Sequence, residues 1–249
     1  MNPLFQRRRK ILVALLTFVV ILAVLLYSQL SPIGELLPKT IAALESDDAV
    51  LVNRARWIVF QPSVKTESGF IFYPGGRVMP EAYSPLARAL AEAGHLSVII
   101  PMPLNLAVLN PNAASDVIAA FPSIQRWVLG GHSLGGVMAA RFAHAHEDKI
   151  DGLALLASYP ERHVDLSESE LAVATIYGDQ DGLVTVAEVQ RSLDLLPLDS
   201  LAILVEGGNH AQFGWYGGQS GDKPAQVSRE EQQAQVVAAV LHIMQEAGR

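Results

Sequence analysis

A single serine stands among glycines in Gly130-Gly131-His132-Ser133-Leu134-Gly135-Gly136, directly after an apolar stretch and directly before a small-residue helical pattern. Gly131, Ser133 and Gly135 match G-x-S-x-G, and a strand followed by a helix is the setting a nucleophile elbow requires. In that turn the serine adopts an unusual backbone conformation, so the residues two positions away must lack side chains. The turn lifts Oγ above a sheet, and the N-terminus of the following helix favours negative charge developing there. The bare pattern also fits an ordinary glycine-rich turn with a serine cap. His132 is expected to pack or to support rather than to act as the base, because a base must reach Oγ from across the pocket.

Such a turn needs a sheet beneath it. Short apolar runs alternate with helical patterns along the chain. Strands are expected at 57–60, 69–73, 96–100, 126–129, 152–157, 173–177 and 201–205, with the first two forming an antiparallel pair. Helices are expected at 80–93, 113–120 and 134–146. Two more are opened by the capping-box spacings Thr185–Glu188 and Ser228–Glu231. Continuous apolar strands alternating with helices imply an α/β fold with a mostly parallel, doubly wound sheet covered on both faces. Ligands of such sheets sit at the C-terminal strand ends, where the Ser133 turn falls.

With this turn and this element order, the sequence resembles the α/β-hydrolase superfamily, most closely its small, lidless, dienelactone-hydrolase-like branch, including membrane-anchored bacterial hydrolases. The resemblance covers roughly residues 55–246, in the family order nucleophile, acid, histidine. It implies an α/β-hydrolase fold and a triad. The segment Ile176-Tyr177-Gly178-Asp179-Gln180-Asp181 maps the acid onto Asp181, with Asp179 as the competitor. The segment Val205-Glu206-Gly207-Gly208-Asn209-His210 maps the base onto His210, with Glu206 and Asn209 as possible supports. The backbone N–H of Leu134 is implied as one oxyanion donor. The second follows the early strand in Tyr73-Pro74-Gly75-Gly76-Arg77 and maps onto Gly76, with Arg77 as the one-residue alternative. Many relatives have His-Gly where this chain has Pro-Gly, so a side chain that often braces the loop is missing. Arg77 could also meet an anionic substrate group.

Relatives with lids insert helices after the strand at 152–157, and here only Ser158–Leu171 intervenes, which implies an open, shallow site. The loops 101–109 and 211–227 are candidate walls, the second contributing Phe213 and Trp215 as possible substrate contacts. Packing on the sheet edge is the equal alternative for both.

Outside this region the chain is informative at its N-terminus. Arg7, Arg8, Arg9 and Lys10 precede residues 11–30, which carry no charge. Such a run spans a bilayer core of roughly 30 Å at about 1.5 Å per helical residue, and the basic side is expected to stay cytoplasmic. The expected organisation is a cytoplasmic basic segment 1–10, one transmembrane signal anchor 11–30, a juxtamembrane linker 31–48 and a catalytic domain 49–249 on the extracytoplasmic side. A cleaved signal peptide would need a shorter apolar core and a clean cleavage site. The net charge of −7 disfavours nucleic acid as a partner, and the lack of cysteine excludes disulfides and thiolate metal sites. No metal or cofactor is expected. The expected partners are a small ester or acyl substrate and, through the N-terminal helix, the membrane. The expected reaction is acyl-bond cleavage by Ser133, His210 and Asp181. A binding module on a hydrolase fold and an acyltransferase using the same residues are the alternatives.

Overall fold

The computed structural model describes Gln6, residues 10–21 and residues 31–248. The chain divides into two compact units, residues 1–32 and 33–249. In the first, residues 10–21 are helical, and apolar side chains from Ile11 to Ile21 are exposed. Residues 22–30, the remainder of the expected anchor, lie outside the described residues. Among the described residues no helix is long and apolar enough to cross a membrane.

The second unit is built on one eight-stranded sheet. Its strands are β1 (Val50–Asn53), β2 (Ile58–Pro62), β3 (Ser68–Tyr73), β4 (Leu96–Ile99), β5 (Arg126–His132), β6 (Gly152–Leu156), β7 (Ala172–Gly178) and β8 (Leu201–Val205). They lie in the order β1-β2-β4-β3-β5-β6-β7-β8. All neighbours from β4 onward pair in parallel, whereas β1–β2 and β2–β4 are antiparallel. The strand β3 alternates between the two faces: Phe70 and Phe72 point into one core, Ile71 and Tyr73 into the other. Burial on both faces is what makes it an unbroken apolar run.

The six α-helices of this unit are α1 (Pro38–Ala43), α2 (Ser84–Glu92), α3 (Ala114–Ala120), α4 (Leu134–Ala145), α5 (Val186–Ser192) and α6 (Arg229–Glu246). Leu86 and Leu90 of α2 join Val236, Val240 and Ile243 of α6 in the first core. Val117 of α3 joins Met138 and Phe142 of α4 in the second. Both expected capping boxes form, with Thr185 and Ser228 accepting from the backbone N–H of Glu188 and Glu231.

Two expectations change. The 57–60 and 69–73 strands do not pair with each other. Ile58 lies opposite Ile99 in β4, and both edges of β3 are taken by β4 and β5. A strand buried on both faces sits in the sheet interior, so an eight-residue connection need not close a hairpin. The domain also begins at residue 33 rather than 49. Helix α1 buries Thr40 and Ala43, and the Arg88 guanidinium of α2 bonds the carbonyls of Ala43 and Glu45 and the carboxylate of Asp47.

Candidate active site

Ser133 follows β5 and precedes α4, with φ 52° and ψ −123°. For a residue with a side chain this is a strained conformation, and its neighbours explain how it is held. A Cβ on Gly131 would lie 2.5 Å from the carbonyl carbon of Gly135, and one on Gly135 would overlap the carbonyl oxygens of Tyr73 and Pro74. The Ser133 N–H donates to Leu156 O at 2.9 Å, and its carbonyl accepts from Ser158 Oγ at 2.9 Å. Backbone and neighbour thus fix the turn while the side chain stays partly exposed.

His210 follows β8 and Asp181 follows β7. His210 Nδ1 and Asp181 Oδ2 are 2.7 Å apart, and both side chains are fully buried. The other carboxylate oxygen of Asp181 accepts from the N–H groups of Leu183 and Val184, at 2.7 Å each. The carboxylate is therefore held at both ends, and the proton it accepts is the one on Nδ1. This leaves Nε2 as the basic nitrogen. Among the described residues Nε2 is buried and has no hydrogen-bond partner, the Ser133 hydroxyl included. Hydrogen bonds between base and nucleophile often tighten only once substrate is bound. Asp179 is used otherwise: it accepts from Gly207 N at 2.7 Å and ties the acid turn to the histidine loop. Glu206 is exposed, and Asn209 bonds Lys223 O and Gln212 N within its own loop.

Sequence reasoning passed over Asp222. One of its oxygens accepts from Gly182 N, His210 N and Lys223 N at 2.9–3.2 Å, and the other accepts from Ala211 N at 2.9 Å. It joins Gly182, the residue after Asp181, to the backbone of His210 and Ala211. Its partners are main-chain groups, which no side-chain motif displays.

The loop after β3 faces the elbow. Arg77 N–H donates to Asn105 O at 2.7 Å, so it is not the second oxyanion donor. Gly76 N–H has no partner among the described residues, and a Cβ at Gly76 would lie 3.2 Å from Leu134 Cδ2. Leu134 opens α4, where N–H groups have no intrahelical acceptor. Gly76 thus packs against the side chain of Leu134, the residue after Ser133. Below them, Gly75 N–H donates to Tyr83 Oη at 3.0 Å, and Tyr83 Oη is 2.8 Å from His132 Nδ1. The His132 ring packs on that of His210, centroids 4.5 Å apart.

Phe213 and Trp215 do not line this site. Phe213 is completely buried, stacked on His132. Trp215 is 6% exposed, lies under Lys39 Nζ at 4.4 Å, and faces a cavity of 630 Å³ whose lining, which includes Arg88, Val237 and Leu241, holds no triad candidate. Glycine spacing brought these aromatics into a loop, but the loop folds inward. The loop 101–109 does reach the site: Leu106 approaches Gly76, and Leu104, Val108 and Leu109 of the same loop are exposed. No helix intervenes between β6 and β7, as the short 158–171 connection implied.

Sheet order, elbow and strand-end loops together define the α/β-hydrolase fold. Residues 69–234 match the alpha/beta hydrolase family, and the chain belongs to it. No curated protein sequence matches the chain. Among solved structures, Est1E from Butyrivibrio proteoclasticus is similar at 13% identity and TM-score 0.55, over 79% of this chain and 99% of that one. A predicted CIB-like hydrolase from Thermoplasma acidophilum is similar at 15% identity and TM-score 0.58, over 78% and 99%. MGS-MChE2, an alpha/beta hydrolase enzyme from the metagenome of sediments of the Mar Chica lagoon in Morocco, is similar at 13% identity and TM-score 0.53, over 66% and 90%. At these identities the likeness is one of fold.

Proposed function

We propose that this alpha/beta hydrolase is a serine hydrolase that cleaves carboxylic esters or related acyl bonds. Ser133 is the nucleophile, His210 the base and Asp181 the acid. We further propose that residues 11–30 anchor it in a membrane by a single span, with the basic N-terminus cytoplasmic and the catalytic unit on the other side. The observation that carries the enzymatic reading is the buried 2.7 Å pair of His210 Nδ1 and Asp181 Oδ2, which leaves Nε2 as the nitrogen without a partner among the described residues. Supporting the anchor are the uncharged run itself and the exposure of apolar side chains around the helical residues 11–21.

In this reaction Ser133 Oγ attacks the carbonyl carbon while His210 Nε2 takes its proton. Asp181 holds the ring in place and stabilises the imidazolium that forms. The N–H groups of Gly76 and Leu134 receive the oxyanion, aided by the N-terminus of α4. His210 then gives its proton to the departing alcohol. Water, activated by the same nitrogen, releases the acid from Ser133. The exposed Leu104, Val108 and Leu109 of the loop 101–109 suit a substrate with an apolar part.

The test is covalent labelling of the full chain, in detergent, with a fluorophosphonate probe. The wild type is expected to label, and Ser133→Ala and His210→Ala are expected to lose the label while keeping the wild-type circular dichroism spectrum. A folded wild type that stays unlabelled would sink the hydrolase reading in favour of a binding module.

A further inference from the structure

Two buried titratable side chains beside the site, Tyr83 and His132, take no part in the proposed reaction. They join the oxyanion loop to the nucleophile turn. The direction of their hydrogen bonds follows from what each group can donate. Gly75 N–H can only donate, so Tyr83 Oη accepts from it. Tyr83 has one hydroxyl proton, and its other neighbour is His132 Nδ1. Donation from Tyr83 to Nδ1 pairs the stronger acid, the phenol, with the stronger base, the imidazole nitrogen, and puts the ring proton on Nε2, which is buried without a hydrogen-bond partner among the described residues. The chain therefore runs Gly75 N–H to Tyr83 O–H to His132 Nδ1, each bond polarising the next. Burial keeps both members neutral: it raises the Tyr83 phenol well above its ordinary value and lowers the His132 imidazole well below its own.

The glycine completes the fit. A Cβ on Gly75 would lie 2.6 Å from His132 Nδ1 and 2.9 Å from Tyr83 Oη. The loop lies directly on the pair because residue 75 has no side chain. Gly75 O in turn accepts from Val78 N at 3.1 Å. In a trans peptide the N–H of residue 76 points opposite to that oxygen. With Gly75 held at its nitrogen by Tyr83 and at its oxygen by Val78, the direction of Gly76 N–H is set. The other end of the chain is His132, whose backbone adjoins Ser133 and whose ring packs on His210.

Resting on the serine-hydrolase reading above, we propose that Tyr83 and His132 act as one positioning unit, which aims Gly76 N–H at the oxyanion and keeps the His210 ring in register with Ser133.

Steady-state kinetics of the full chain on a p-nitrophenyl ester, together with the rate of fluorophosphonate labelling, test this. Tyr83→Phe keeps the ring and removes the hydroxyl. It is expected to lower kcat about 10-fold or more, within the roughly 10²–10³-fold cost of deleting an oxyanion donor outright. KM should stay within about threefold, because the interaction is made in the transition state. His132→Leu should match that loss. His132→Asn keeps an acceptor where Nδ1 stood and should recover most of the rate. The double variant Tyr83→Phe/His132→Leu should be no slower than the slower single, as for two members of one chain. Wild-type kcat in Tyr83→Phe would overturn the proposal. So would equal losses in His132→Asn and His132→Leu that track a fall in Tm, which mark the pair as packing alone. A folded wild-type chain that neither labels nor turns over overturns the hydrolase reading itself, and this proposal with it.

Discussion

At the scale of single residues, the site is assembled from groups held in states they would not adopt in water. Ser133 sits at φ 52°, a conformation that costs about 1–3 kcal/mol and persists only where its surroundings over-determine it. His132 is held neutral, first by burial and then by the neighbouring His210 ring. Its folded-state pKa therefore lies below the unfolded value of about 6.5. Above that pH neither state binds the proton, and His132 makes stability no more pH-dependent. As the pH falls below it, the unfolded chain takes up a proton that the folded chain refuses, and stability declines. The slope is at most about 1.4 kcal/mol per pH unit for one such histidine. Burial and Arg126 shift His95 in the same direction, so it adds to the same limb. Urea unfolding at pH 7 and pH 5.5 should show a clear acid loss in the wild type. The loss should be smaller in His132→Asn, by about one proton's worth. Identical slopes in the two proteins would mean that His132 is protonated in the folded state.

At the scale of elements, strand-end loops converge, and what joins them decides precision. Asp222 spans the turn after β7 and the loop after β8, accepting from Gly182 N and Ala211 N with its two oxygens. Hydrogen bonds to a charged group contribute about 1.5–3 kcal/mol, and misplacing a catalytic group by about 1 Å can cost 10²-fold in rate. Asp222→Ala is therefore expected to lower kcat on the order of 10- to 100-fold and to lower Tm, with a smaller change in KM. Turnover within twofold of wild type, measured at saturating ester, would show that Asp179 alone suffices to hold the loops. The strand-end positions of Ser133, Asp181 and His210 were legible because their motifs are contiguous and follow apolar runs. Asp222 was not, because it is one acid in a Gly- and Lys-flanked loop whose partners are backbone groups. Tyr83 and His132 were hidden for a related reason: their bond joins α2's leading turn to β5, 49 residues apart. The first strand was missed because Val50–Asn53 is a four-residue edge strand, too short for its alternation to be read. The fate of Phe213 and Trp215 depended on which way a loop turns, and composition is blind to that.

At the scale of the whole molecule, the segment between the apolar run and β1 belongs to the frame of the site. Ile33 N–H donates to Arg77 O at 2.8 Å, in the oxyanion loop. Leu37 N–H donates to Trp215 O at 3.0 Å, and Gly217 N–H donates to Glu35 O at 2.9 Å, both in the loop that follows His210. Leu36 bridges Tyr216, and α1 then buries Thr40 and Ala43. Residues 33–43 thus strap together the two loops that flank the elbow from opposite ends of the sequence. Three backbone bonds at about 1 kcal/mol each, with the buried residues of α1 in addition, make the strap a substantial share of a marginal stability. A chain starting at residue 31 keeps all of these contacts, and a chain starting at residue 49 keeps none of them. For a unit of this size each kcal/mol moves Tm by about 2–4 °C, so the shorter chain should melt on the order of 10 °C lower. It should also lose kcat, because Arg77 and Trp215 would each lose a backbone tie beside the site. Differential scanning calorimetry and ester turnover on the two truncated chains would check both effects. Equal Tm and equal kcat would return residues 33–48 to the role of a passive tether.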